Sequence, residues 1–211
     1  MKQHLLSAFI ATILLCSFNS HAQLFSGDPA NRDSTAPKVE FGIKAGLNLQ
    51  KMASDSTWED KMNPGFAGGI FMQAGKNKLG VRVEVLASTA HYTFKYITDS
   101  LGTKGDFTSL SIDIPLLLEY KVVPFLWIQA GLQYSSIISI HNKAGFDGDS
   151  KLLFKNGGFA ATGGLEARLP MKFIAGARYS YGFTNLNNNT IFTSEPWKTS
   201  AIQIYLGYII K

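Results

Sequence analysis

Residues 108–120 read TSLSIDIPLLLEY, and two faces of opposite chemistry run the length of this stretch. Leu110, Ile112, Ile114, Leu116, Leu118 and Tyr120 fall on one face, and Ser109, Ser111, Asp113 and Glu119 on the other. Alternation with a period of two is the signature of a β-strand with unlike sides. At about 3.3 Å per residue such a strand is roughly 40 Å long. Tilted by about 45°, it crosses the hydrocarbon core of a bilayer. An amphipathic strand of a soluble sandwich has the same pattern, so the rest of the chain must decide between them.

The same alternation opens the apolar part of the chain. From Val39 to Gln50 the odd positions are Val39, Phe41, Ile43, Ala45, Leu47 and Leu49, and the even ones are Glu40, Gly42, Lys44, Gly46, Asn48 and Gln50. No helix has that period. Further strands are expected at Gly65–Gly75, Leu79–Tyr96, Phe107–Tyr120, Phe125–Ile140, Gly157–Leu169, Phe173–Thr184 and Thr199–Ile210, eight in all. In the third, Tyr92, Phe94 and Tyr96 carry the apolar parity after Leu79, Val81, Val83 and Val85, which predicts a bulge between Ala87 and Ala90. Pro115 removes a ladder donor and predicts a local distortion in the fourth.

The connections alternate in length. Gly75–Lys78, Lys121–Pro124 and Pro170–Lys172 are tight, whereas Lys51–Pro64, Ile97–Asp106, Asn142–Asn156 and Asn185–Lys198 are long and polar. Short turns at one end and long loops at the other are the pattern of an outer-membrane barrel, with the short turns periplasmic and the long loops extracellular.

The placement of aromatic and charged residues decides which face is inside. Mid-strand residues of the apolar face are aliphatic or small and none is charged, Ile43, Ala45, Val83, Ile112, Ala130, Ala177 and Ile204 among them. Aromatics gather at its ends: Phe41, Tyr120, Phe173 and Tyr208 near the short turns, and Phe66, Tyr92, Phe94, Tyr134, Phe159, Tyr181 and Phe183 near the long loops. Two aromatic girdles flanking an aliphatic band are what a bilayer selects. The polar face holds Lys44, Arg82, Glu84, Asp113, Glu119, Glu166, Arg168 and Arg178, with Gln129, Gln133, Gln203, Tyr205 and many glycines. An eight-stranded barrel is just wide enough for its inward side chains to fill it. We therefore expect an all-β, antiparallel, up-and-down transmembrane barrel whose lumen is closed by charge pairing, with glycines making room for the long Arg and Glu chains. A lipocalin-like soluble barrel would leave the two aromatic rims without a reason.

Composition agrees. The 211 residues are 45% hydrophobic and only 17% charged, with 20 glycines, as suits one β-rich domain. Residues 1–22 have a basic start at Lys2, an apolar core from Leu5 to Phe18 and Ser20-His21-Ala22 before Gln23, the layout of a secretory signal peptide. Cys16, the single cysteine, lies within it, so no thiol or disulfide chemistry is expected of the mature chain. Leu15 before Cys16 argues against a lipid-attachment signal. Residues 23–38 have two prolines and no periodicity and are expected to be a flexible periplasmic leader, with the barrel spanning 39–211. Loss of residues 1–22 removes Lys2 alone among the charges, so the net charge falls from +5 to +4. Without a Lys/Arg run, nothing points to nucleic acid.

Four pieces carry a resemblance to a known family: FGIKAGLNL at Phe41–Leu49, LSIDIPLLLEY at Leu110–Tyr120, FLWIQAGLQY at Phe125–Tyr134 and ARYSYGFTNL at Ala177–Leu186. The chain resembles the PorT-like outer-membrane β-barrel family of Bacteroidota-type bacteria. That resemblance implies an eight-stranded outer-membrane barrel with no catalytic residues and no cofactor. It also implies membrane lipids and the outer-membrane assembly machinery as partners, and an envelope or secretion protein as a further one, since one member is tied to protein secretion.

Other chemistry is thinly represented. His91 and His141, with Ser88, Ser135, Ser136 and Ser139 near them, are the residues a lipid-modifying enzyme would use, but Ser and His are ordinary at polar strand ends. Asp147-Gly148-Asp149 lacks calcium-loop spacing and reads as a turn. Gly157-Gly158 and Gly163-Gly164 lack the strand-to-helix context of a phosphate loop. Trp58 and Trp197 fall in long loops, where they either face a partner or dock on the rim. A structural or interaction barrel is the leading function class, a narrow porin-like transport barrel the alternative, and an enzyme third.

Overall fold

The computed structural model describes residues 37–53, 61–95, 104–142, 155–188 and 196–211, with backbone alone at 94, 95, 104, 105 and 142. The region expected to be signal peptide and the leader as far as residue 36, together with Trp58 and the Asp147–Asp149 turn, lie outside them, while Lys38, expected to close the leader, already opens the first strand.

Eight strands run β1 Lys38–Ala53, β2 Asn63–Lys76, β3 Leu79–Lys95, β4 Lys104–Val123, β5 Leu126–Asn142, β6 Gly157–Arg168, β7 Phe173–Gly182 and β8 Lys198–Ile209. Each pairs antiparallel with its neighbour, and β8 returns to β1 to close a barrel. The short connections use residues that accept tight turns. Asn77 takes the left-handed conformation at φ 58° between β2 and β3, and Pro170–Lys172 forms a single 3-10 turn between β6 and β7.

Ladder partners around the barrel run Glu40, Gln73, Arg82, Leu117, Gly131, Thr162, Ser180, Ala201 and back to Gln50. One circuit therefore climbs β1 by ten residues, from Glu40 to Gln50. A rise of ten residues over eight strands tilts each strand by about 40° and leaves a bore that side chains can fill.

Burial assigns the faces. Phe66 is 70% exposed, Leu206 67% and Ile204 55%, in keeping with an outward apolar wall, whereas Arg82, Glu84 and Glu166 are fully enclosed. Phe173 and Tyr208 pair edge to face with centroids 5.3 Å apart, and Phe41 and Tyr120 are exposed near the same end. Tyr134 and Phe159 pair at 5.1 Å toward the loop end, where Phe66, Tyr181 and Phe183 are also exposed.

The structure corrects three expectations. Tyr92 is not an outer-girdle residue: it is 7% exposed and packs inside the barrel. Nor does β3 bulge between Ala87 and Ala90, since its pairing with β4 keeps one register through that stretch. Toward the loop end Ala90, Tyr92 and Phe107 point inward while Thr89, His91 and Thr108 are the exposed or half-exposed set. Above the bilayer the outer wall meets water, so the apolar side of the strand becomes the inner one without any slip. The bulge lies instead in β5 at Ile138, between the pairs Leu110–Ser139 and Ser111–Ile137. Third, the glycines make room chiefly for the backbone of the facing strand, as at Gly69 and Gly131, and at Gly42 and Gly176 for a ring, rather than for Arg and Glu chains. A Cβ on Gly176 would sit 2.5 Å from the Tyr205 ring, and one on Gly42 would overlap Phe71. Pro115 behaves as expected, with β3–β4 pairing interrupted between Val83–Leu116 and Leu86–Asp113.

Nothing is described of the Phe94 side chain.

Candidate functional site

Every strand sends at least one polar side chain into the short-turn half of the lumen: Lys44 from β1, Gln73 from β2, Arg82 and Glu84 from β3, Glu119 from β4, Gln129 from β5, Glu166 and Arg168 from β6, Arg178 from β7 and Tyr205 from β8. The antiparallel register brings them to a common level although they are far apart in sequence.

Arg82 is the hub. Its guanidinium donates to both oxygens of Glu166, at 2.5 and 2.6 Å, and its Nε lies 2.8 Å from Glu119. It also donates to Gln73 Oε1 at 3.0 and 2.5 Å and stands 3.6 Å from Glu84. Glu84 receives Lys44 Nζ at 2.9 Å and a two-pronged contact from Arg178 at 2.8 and 2.9 Å. Glu119 further accepts from Arg168 at 2.9 Å and from Gln129 Nε2 at 2.8 Å. Gln129 Oε1 takes Arg178 Nη2 and the Tyr205 hydroxyl, which also reaches Glu166 at 3.0 Å. A charge buried alone costs several kcal/mol. Here Arg82, Glu119 and Glu166 each meet opposite charge and a neutral donor or acceptor, and Glu84 is held by Lys44, Arg178 and Arg82, which is the condition for a buried polar network to hold.

Rings complete the packing. Lys44 Nζ sits 3.7 Å from the centroid of Tyr205, Arg82 lies over Phe71 at 4.6 Å, and Arg168 stacks on Trp127 at 3.8 Å. Desolvated cation–ring contacts of this kind are worth about 2 kcal/mol. Leu86, Leu117 and Ile174 are fully buried beside them. These apolar lumen residues escaped the sequence reading, which treated the polar face as polar throughout. Their parity with Glu84, Glu119 and Arg178 was the signal that could have found them.

Of the eight charged residues expected in the lumen, seven form one network: Lys44, Arg82, Glu84, Glu119, Glu166, Arg168 and Arg178. Arg168 is its outermost member, about one-fifth exposed at the short-turn mouth. Asp113 is in the lumen but not in the network. The fourth carboxylate is Glu40, which accepts from Gln73 at 2.5 Å and lies 3.7 Å from Arg168. Glu40 shares a ladder level with Arg82 through Gln73, whereas Asp113 lies on β4 four residues from Leu117, the partner of Arg82, and toward the loop end.

The loop-end half is built differently. Met52, Ala90, Tyr92, Phe107, Leu186 and Trp197 form an apolar cluster inside the wall. Leu186 and Trp197 are carried there by the strand-like approach to β8: Leu186 N–H donates to Trp197 C=O, and Asn185 Oδ1 accepts from the Trp197 N–H, both at 2.9 Å. Trp197 thus docks inward. Between this cluster and the ion-paired layer is a polar cavity of about 60 Å³ lined by Asp113.

Among the described residues, those considered for catalysis do not assemble a nucleophile–base–acid set. His91 Nδ1 is 2.9 Å from Thr108 Oγ1, and His141 Nδ1 is 3.1 Å from Ser139 Oγ. Among the described residues neither ring is hydrogen-bonded to a carboxylate. No group of three or more His, Cys, Asp or Glu suited to a metal ion occurs among the described residues.

A family model for the outer membrane protein beta-barrel domain matches residues 22–188. OprG from Pseudomonas aeruginosa superposes with a TM-score of 0.50 at 13% identity, covering 83% of this chain and 98% of OprG. Ail, the attachment invasion locus protein of Yersinia pestis, gives 0.47 at 16% identity over 82% of this chain and 99% of Ail. What is shared at these identities is the fold alone. No curated protein matches the chain in sequence.

Proposed function

The chain belongs to the outer membrane protein beta-barrel domain family, and on that premise we propose that it is a closed, non-catalytic barrel whose role is structural or interactive within the cell envelope. The observation that carries this reading is the lumen layer drawn from all eight strands, in which Arg82 alone joins Glu84, Glu119 and Glu166 across the bore. A passage for solutes would have to take that layer apart. The pieces LSIDIPLLLEY and ARYSYGFTNL support the narrower proposal of a PorT-like component of secretion or envelope assembly. In that reading the loops or the periplasmic mouth meet a protein partner, and the outer wall meets lipid.

Two measurements test the proposal. Purified protein in planar bilayers is expected to show no stable open channel. A steady, reproducible ionic conductance would replace the closed barrel with the transport reading. Crosslinking in intact envelopes, followed by identification of the captured proteins, is expected to return secretion or assembly components, and their absence would remove the PorT-like assignment.

A further inference from the structure

Asp113 has a position that the ion-paired layer does not explain. Below it, Lys44, Arg82, Arg168 and Arg178 face Glu40, Glu84, Glu119 and Glu166, four positive groups against four negative ones. That layer balances without Asp113. The Asp113 residue is nevertheless only 7% exposed, and among the described residues it meets the hydroxyls of Ser88, Ser111 and Ser135, Ser111 at a long 3.4 Å, but no cation. Buried carboxylates in folded proteins are paired or fully hydrogen-bonded, because an unmatched one is costly.

The surroundings are rich in oxygen and have no positive charge. Ser135 stands directly opposite Asp113 on β5, and Ser88 pairs with Ser111 across β3 and β4. Ser88 Oγ, buried beside them, faces the Asp113 carboxylate. The adjoining cavity of about 60 Å³ is lined by Asp113, Ser109, Ser111 and Ser135 among others. Since roughly 10–15 Å³ of such space admits one water, it has room for a small ion with a few waters.

We infer that this cavity is a binding site for a small monovalent cation, Na⁺ or K⁺, with the Asp113 carboxylate and the flanking serine hydroxyls as ligands and water completing the shell. One carboxylate matches one positive charge. Calcium usually takes six to eight oxygens and is typically held by several carboxylates, which this chamber does not have. The apolar cluster above and the charged layer below confine the ion to the chamber.

The test uses the whole mature barrel, refolded into phosphatidylcholine vesicles as wild type and as Asp113→Asn. Urea unfolding is followed in NaCl, KCl and choline chloride at equal ionic strength. For wild type, each tenfold rise in Na⁺ or K⁺ above the Kd is expected to raise the folded-to-unfolded ratio close to tenfold, with choline, too large for the cavity, giving no change. Asp113→Asn, which keeps shape and loses charge, is expected to respond to none of the three. Equal stability of wild type in all three salts overturns the site, as does a Na⁺ or K⁺ response that survives in Asp113→Asn. Crystals of wild type grown with thallium(I) acetate give an independent reading: an anomalous peak beside the Asp113 carboxylate is expected, and its absence overturns the proposal even if the Asn variant fails to fold.

Discussion

Replacing Arg82 by Met keeps most of the side-chain length and removes the charge that holds the lumen layer together. The loss can be worked out from the contacts. Glu166 loses both of its close charged donors, at 2.5 and 2.6 Å, and retains Tyr205, Gln129 and a 3.6 Å approach from Arg168. Glu119 loses the contact at 2.8 Å but keeps Arg168 and Gln129, and Glu84 keeps Lys44 and Arg178. Glu166 therefore carries most of the damage. Breaking a buried pair by removing one partner costs about 3–5 kcal/mol. With a urea slope of about 2 kcal/mol per molar, the unfolding midpoint in lipid vesicles should fall by roughly 2 M. Adding Glu166→Gln removes the stranded charge, so the double variant should recover about 2 kcal/mol relative to the sum of the single changes. If Arg82→Met shifts the midpoint by less than about 0.5 M, or the two changes simply add, the layer is not the coupled unit argued for here.

Two further outcomes follow from the faces and the ends of the barrel. Ile204→Arg puts a charge on the outward wall and should cost about 2–4 kcal/mol, whereas Gln203→Arg, one residue away and turned toward the Asp113 chamber, should cost far less; equal losses in vesicle unfolding would reverse the faces. Cysteines at Ser56 and Asn188 should react with an impermeant maleimide on whole cells while one at Asn77, in the tight turn between β2 and β3, should not; labelling at Asn77 alone would invert the topology.

Strand positions were legible because a period of two leaves little freedom once one face is known, and segments such as Phe41–Leu49 declare that face plainly. Tyr92 was misread for a physical reason. Inside the bilayer an apolar residue marks the lipid side, but β3 to β5 extend past it, and there the lumen is the drier surface, filled by Tyr92, Phe107 and Ile137 while His91 and Thr108 face out. The rule linking hydrophobicity to direction changes sign along a single strand. Membership of the charge network was only partly legible. Parity placed Asp113 inward correctly, but which inward carboxylate meets which cation depends on the ten-residue climb of the ladder, and that is a property of the closed barrel. Glu40 lies at the very start of β1, where nothing local distinguishes it from a solvated end charge.

The closure between β1 and β8 bears on how anything could leave the barrel sideways. This seam is paired from Gly42–Ile209 to Ala53–Lys198, and past its end Ile210 N–H still donates to Phe41 C=O at 2.7 Å. Lys44 and Tyr205, one on each side of it, are tied to each other by the cation–ring contact and to the opposite wall through Glu84, Glu166 and Gln129. Unzipping the seam would thus expose backbone edges to lipid and pull both residues out of the layer at the same moment. A lateral gate of the kind that would release an acyl chain or a strand into the membrane is disfavoured at this joint.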